Sequence, residues 1–104
     1  MFEAHGRGDM LGEAYRLRGT LLLRQAVPDV VQGEACFQQA LALARRQHAR
    51  SWELRAAMSL SQLWQQQGKR AEARALLAPI YNWFTEGFDT LDLQEARALL
   101  AALG

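Results

Sequence analysis

The 104-residue chain contains one cysteine, Cys36, which excludes an intramolecular disulfide and any zinc site assembled from several thiolates of the same chain. That usage fits a reducing compartment, so a cytoplasmic location is expected. Proline occurs only at Pro28 and Pro79, and the β-branched residues that favour strands are sparse, with three valines and one isoleucine. A sheet is therefore disfavoured. Long hydrophobic runs are missing as well: the longest, Ala98 to Leu103, falls far short of the roughly 20 residues a membrane helix needs. The amino terminus, MFEAHGRGD, places acid and glycine where a secretory signal carries a basic start followed by an apolar stretch. Neither export nor a membrane partner is expected. Twelve basic and eleven acidic residues leave a formal charge of +1, too small a field to draw the whole molecule to nucleic acid or to an anionic surface.

Half of the chain is apolar, enough for the core of one small domain. Its bulk is Ala, Leu, Gln, Arg and Glu, all strong helix formers, and the apolar spacing agrees. Met10, Ala14, Leu17 and Leu21 recur at helical intervals, as do Gly33, Phe37, Ala40 and Ala44. Each set defines a one-sided helix. The first break is expected at Gln25 to Asp29, where Pro28 cannot continue a helix and Asp29 can cap the next. A second is expected near His48 to Ser51, with Ser51 as the cap, and a third at Gln67 to Lys69, where Gly68 tolerates a left-handed turn. Beyond it, Ala73, Leu76, Leu77, Ile80, Tyr81 and Phe84 keep one face going past Pro79, which predicts a kink rather than a break. The last break falls at Gly87 to Asp89, with Asp89 or Thr90 as the cap of a helix carrying Leu93, Ala96, Leu99, Leu100 and Leu103. Five helices follow. Residues 1–9 lack periodicity and are expected to form a flexible tail, leaving residues 10–104 as the helical domain.

The first helix pair aligns on the second, with Gly19 on Ser61, Leu22 on Trp64, Gly33 on Ala73, Phe37 on Leu77 and Ala40 on Ile80. The spacing is 42 residues from Gly19 to Ser61 and 40 from Phe37 to Leu77, so the first pair has two additional turn residues. This pattern resembles the tetratricopeptide repeat. In AAMSLSQLWQQQGKRAEARALLAPIY, Leu60, Ser61 and Trp64 stand at the leucine, small and aromatic positions of the first helix, Gly68 at the turn, and Ala73 and Leu77 in the second helix. Ile80, Pro79 and Arg18 depart from it. The resemblance implies an all-α antiparallel array with one repeat over about 10–48, another over about 51–86, and a capping helix over about 90–103. The strings EACFQQALALARRQ and YNWFTEGFDTLDLQEARALL are further similar to the carboxy-terminal repeat region of large bacterial signalling proteins. Those proteins join an ATPase module to a class III adenylate or guanylate cyclase or to a helix-turn-helix regulator. That likeness implies a fragment or a stand-alone relative, without the ATPase or cyclase motifs themselves.

Few residues have the pattern of chemistry. Gly6, Gly8 and Gly12 follow no strand and match no phosphate-binding fingerprint. About 18 Å of helix would separate Cys36 from His48, so the two cannot form a nucleophile and base within one chain. Catalytic, cofactor and metal sites are accordingly not expected. Arg45, Arg46, His48 and Arg50 are expected to offset a helix dipole at a solvated helix end. Trp64 is expected in the core, and Trp83 and Phe88 are expected to pack there. The resemblance places the first helix of each pair on a concave face presenting Glu13, Arg16, Thr20, Arg24, Arg55, Gln62, Gln65 and Gln66. Such a polar, cationic face suits an acidic or extended peptide. The expected function is thus a non-catalytic module binding a protein segment or another domain of a parent protein. A small ligand-sensing or nucleic-acid-associated regulatory domain is the alternative. About three repeats normally close a continuous core. With two and a cap, an apolar end carrying Leu11, Leu22 and Leu23 is expected to form a homo-oligomer or to dock on a further repeat.

Overall fold

The computed structural model describes the backbone of residues 3–84 and 91–104 and the side chains of residues 13–84 and 92–104. Its described residues form five helices and no strand: α1 (Glu3–Leu23), α2 (Val30–Arg46), α3 (Arg50–Gln66), α4 (Arg70–Trp83) and α5 (Leu91–Leu103). The expected caps Asp89 and Thr90, together with Gly87 and Phe88, lie outside the described residues. The helix expected to begin near Met10 instead begins at Glu3, so most of the segment expected as an aperiodic tail has helical backbone. Once the turns after Met10 have formed, adding a residue requires no new nucleus.

Local chemistry sets the turns. Asp29 caps α2, its Oδ1 accepting from the Gln32 amide at 3.1 Å. The next two turns share one backbone design. After α2, the Ala49 amide donates to the Ala44 carbonyl at 2.9 Å and the His48 amide to Arg45 at 3.2 Å. After α3, the Lys69 amide donates to Trp64 at 2.8 Å and the Gly68 amide to Gln65 at 3.1 Å. Both are left-handed helix stops of the Schellman type, with φ of 55° at His48 and 82° at Gly68. His48 thus occupies a position that glycine fills one turn later. The expected cap at Ser51 is corrected: Ser51 lies within α3, and Ala49 is the cap residue without a side-chain bond. The left-handed residue reverses the chain so abruptly that the next helix starts before Ser51 is reached. Pro79 lies inside α4, which continues through it to Trp83. Pro79 and Ala75 are both exposed, so water can satisfy the carbonyl that lacks a donor.

Small residues set the helix crossings. At the α1 and α2 crossing, a Cβ on Gly19 would sit 2.8 Å from the Phe37 ring and 3.0 Å from the Gly33 carbonyl oxygen. At the α3 and α4 crossing, the fully buried Ser61 hydroxyl donates to the Ala73 carbonyl at 3.2 Å. These are the residues that align between the two pairs. Their partners align too: Phe37 and Leu77, and Ala40 and Ile80, are all buried. One continuous core joins Phe37 and Leu41 of α2, Leu54, Ala57 and Leu60 of α3, Leu77 and Ile80 of α4, and Leu93 and Ala96 of α5.

The helices form two layers in a slab of 43 × 40 × 19 Å. α3 is central and packs against each of the other four. α1 and α5 flank it in one layer, while the Cα atoms of α2 and α4 stay more than 8 Å apart in the other. The odd-numbered helices therefore present a common face.

Candidate partner-binding face

Helical phase brings the polar residues of this face together. Glu13, Arg16 and Thr20 follow one side of α1, and Arg55, Ser59, Gln62 and Gln66 follow one side of α3, each at steps of three or four. An ion-pair chain crosses all three helices. Arg16 clasps Glu13 through both carboxylate oxygens, at 2.9 Å from Nε and 2.6 Å from Nη2, and donates from Nη1 to the Ser59 hydroxyl at 3.5 Å. Arg55 lies 3.7 Å from the same Glu13 carboxylate and donates from Nε to Asp92 of α5 at 3.0 Å. The hydrogen bonds that Arg16 donates to Glu13 raise its pKa above the ordinary value and outweigh the opposing effect of burial.

Beside this chain lie two joined depressions. One, of about 400 Å³, has an apolar floor of Leu23, Phe37 and Leu63 and a rim of Thr20, Arg24, Ser59, Gln62 and Gln66. The other, of about 250 Å³, lies among Arg16, Arg55, Met58, Asp92 and Glu95 and shares Ser59 and Gln62 with the first. Together they make a groove running from α1 across α3 to α5.

Seven of the eight residues expected on this face line the groove or join its ion pairs; Gln65 does not. It points some 80° away from the line of Gln62 and Gln66. The expected cationic character is also corrected. Glu13, Asp92 and Glu95 balance Arg16, Arg24 and Arg55, because α5 contributes acids to a face that the repeat pattern ascribed to α1 and α3 alone. Ser59, Asp92 and Glu95 are the residues that sequence reasoning missed. Ser59 was accessible, since it follows Arg55 by four and precedes Gln62 by three.

Outside the groove, the basic cluster is less free than expected. Arg45 and Arg50 both pair with Glu53, at 3.2 and 3.5 Å, and Glu53 is a buried carboxylate that ties α2 to α3. Trp64 packs against the core, its indole donating to Glu34 at 3.3 Å. Trp83 is corrected from core to surface: it is 57% exposed, edge-on to Phe84, with the Arg50 guanidinium 4.2 Å from its ring centre. Its helical phase places it about a quarter turn from the face of α4 that buries Ala73, Leu77 and Ile80. The expected apolar docking residues change as well. Leu22 and Leu23 are partly buried, because Leu23 fills the space opposite Gly33, and the side chain of Leu11 lies outside the described residues. Leu17 and Leu21 are the exposed leucines of α1 among the described residues.

Cys36 is buried and His48 is exposed at the following turn. Among the described residues, no three His, Cys, Asp or Glu side chains converge on a point where a metal ion could sit, and no helix is long and apolar enough to cross a membrane. No family model, no curated protein and no solved structure matches the chain.

Proposed function

We propose that this chain is a non-catalytic protein-interaction module of tetratricopeptide type, with the face of α1, α3 and α5 as its binding surface. The observation that carries this reading is the groove shared by three helices, open along its length and lined by amides, hydroxyls and mutually paired ions. An extended protein segment can satisfy such a surface at many points at once. The duplicated crossings, Gly19 with Gly33 and Ser61 with Ala73, support the repeat reading. The same reading makes the chain a piece or a relative of the carboxy-terminal region of a bacterial ATPase-containing signalling protein. The exposed Leu17 and Leu21 are where a neighbouring repeat or a second copy would rest. A small-ligand sensor is less well supported, since most of the groove's ionic groups already pair with one another. A nucleic-acid surface is less well supported too, since Arg45 and Arg50 are engaged by Glu53.

Site-specific photo-crosslinking tests the proposal. A photoreactive phenylalanine analogue replacing Gln62 or Gln66 is expected to give discrete protein adducts in cells, and the same analogue at Gln38, exposed on α2, is expected to give none. Equal adducts from both positions, or adducts with nucleic acid alone, would overturn it.

A further inference from the structure

The charges along the groove are balanced in total but not in place. Arg16 and Arg55 are held by Glu13 and Asp92. At one end Arg24, exposed on the rim beside Gln66, has no ion pair among the described residues. At the other, Glu95 of α5 is likewise exposed and unpaired among them. The unpaired side-chain charges of the groove are therefore positive at one end, at Arg24 beyond α1, and negative at the other, at Glu95 of α5. Near the positive end lies its apolar floor, Leu23, Phe37 and Leu63. Gln62 and Gln66, one helical turn apart, stand over that floor with amides that bond to no described residue.

We infer that the occupant of this groove is an extended protein segment carrying a carboxylate next to an apolar side chain and a cationic side chain some four or five residues away. The inference rests on the interaction-module reading and adds the partner's chemistry to it. The apolar side chain enters the depression over Phe37, where burial repays the ordering of the segment. Its neighbouring carboxylate meets Arg24, and the cation meets Glu95, so both charges are complementary at once. The amides of Gln62 and Gln66, each donor and acceptor, match the alternating N–H and C=O groups of extended backbone. Scale fixes the segment's length. From Arg55 to Gln66 the groove follows α3 for about 16 Å, which an extended chain covers in about five residues.

Three capped octapeptides decide the matter when titrated into the isotopically labelled full chain and followed by amide and side-chain NMR shifts. The first is Gly-Asp-Leu-Ser-Gly-Ser-Lys-Gly, the second replaces its Leu by Ser, and the third replaces its Asp by Lys. The first is expected to shift Thr20, Gln62 and Gln66 and to bind about tenfold more tightly than the second, the effect of one buried leucine. It is also expected to exceed the third severalfold, with that order reversed by Arg24→Glu, an exposed position whose change leaves the fold intact. Equal binding of all three peptides at the groove would overturn the inference while leaving the module reading in place. Shifts elsewhere on the surface, no shifts with any peptide, or an order that Arg24→Glu does not alter would also overturn it. The crosslinking from Gln62 reads the module hypothesis independently of these peptides.

Discussion

Replacing Gly19 by alanine probes the tightest contact in the molecule. A Cβ there would lie 2.8 and 2.9 Å from two carbons of the Phe37 ring and 3.0 Å from the Gly33 carbonyl oxygen. Carbon atoms in packed interiors rest at about 3.5 to 4.0 Å, so close to 1 Å of separation must be recovered. Phe37 is 2% exposed in a core shared with Ala40, Leu41 and Leu63, so its ring can yield only toward the depression it floors. The remaining relief is to part α1 from α2. Overpacking of this kind costs about 1 to 3 kcal/mol, and the helix preference of alanine over glycine returns up to about 1 kcal/mol. A net loss of up to about 2 kcal/mol is expected. Gly33→Ala is the internal control, because its Cβ would meet Leu23, at 2.9 Å from Cδ2, the far end of a flexible and only partly buried side chain. Rotation of Leu23 relieves that overlap, so this variant is expected within about 0.5 kcal/mol of the parent, helix preference offsetting what strain is left. Urea unfolding followed by far-ultraviolet circular dichroism measures both. Gly19→Ala equal to or more stable than Gly33→Ala would refute the close-approach account of the crossing.

The paired helix stops yield opposite expectations. His48→Gly relieves a left-handed residue at an exposed position and is expected to stabilise by about 1 kcal/mol, whereas Gly68→Ala, with φ of 82°, is expected to destabilise by about as much in the same assay. Ser61→Ala removes the buried bond to the Ala73 carbonyl and is expected to lower stability by about 1 kcal/mol by thermal unfolding; an unchanged midpoint would show that the bond adds nothing. Arg55→Ala cuts the one ion-paired guanidinium that reaches Asp92 among the described residues. Its effect is expected mainly as faster amide hydrogen exchange in α5, with α2 and α4 unaffected, and the gain over the parent should shrink in high salt.

Consecutive residues were enough to reveal five helices, Asp29 as a cap, Gly68 as a stop and the small residues of both crossings, because each depends on neighbours within a few positions or on a single phase along one helix. The face of α1 and α3 was legible for the same reason: Glu13, Arg16, Thr20, Arg55 and Gln62 keep step with the helical turn. What the sequence alone left open concerned which faces meet. His48 resembles no standard helix stop in the sequence; only the backbone, held by the helices on either side of it, puts it in the left-handed region. Trp83 is large and aromatic like a core residue, yet it is exposed because the packed face of α4 is the one that carries Ala73, Leu77 and Ile80. Above all, the charge of the groove was decided by tertiary structure. Asp92 lies 37 positions from Arg55, and no local pattern says that α5 will lay its acids beside the arginines of α3. Electrostatics depends on distance through space, and that distance exists only after the chain has folded.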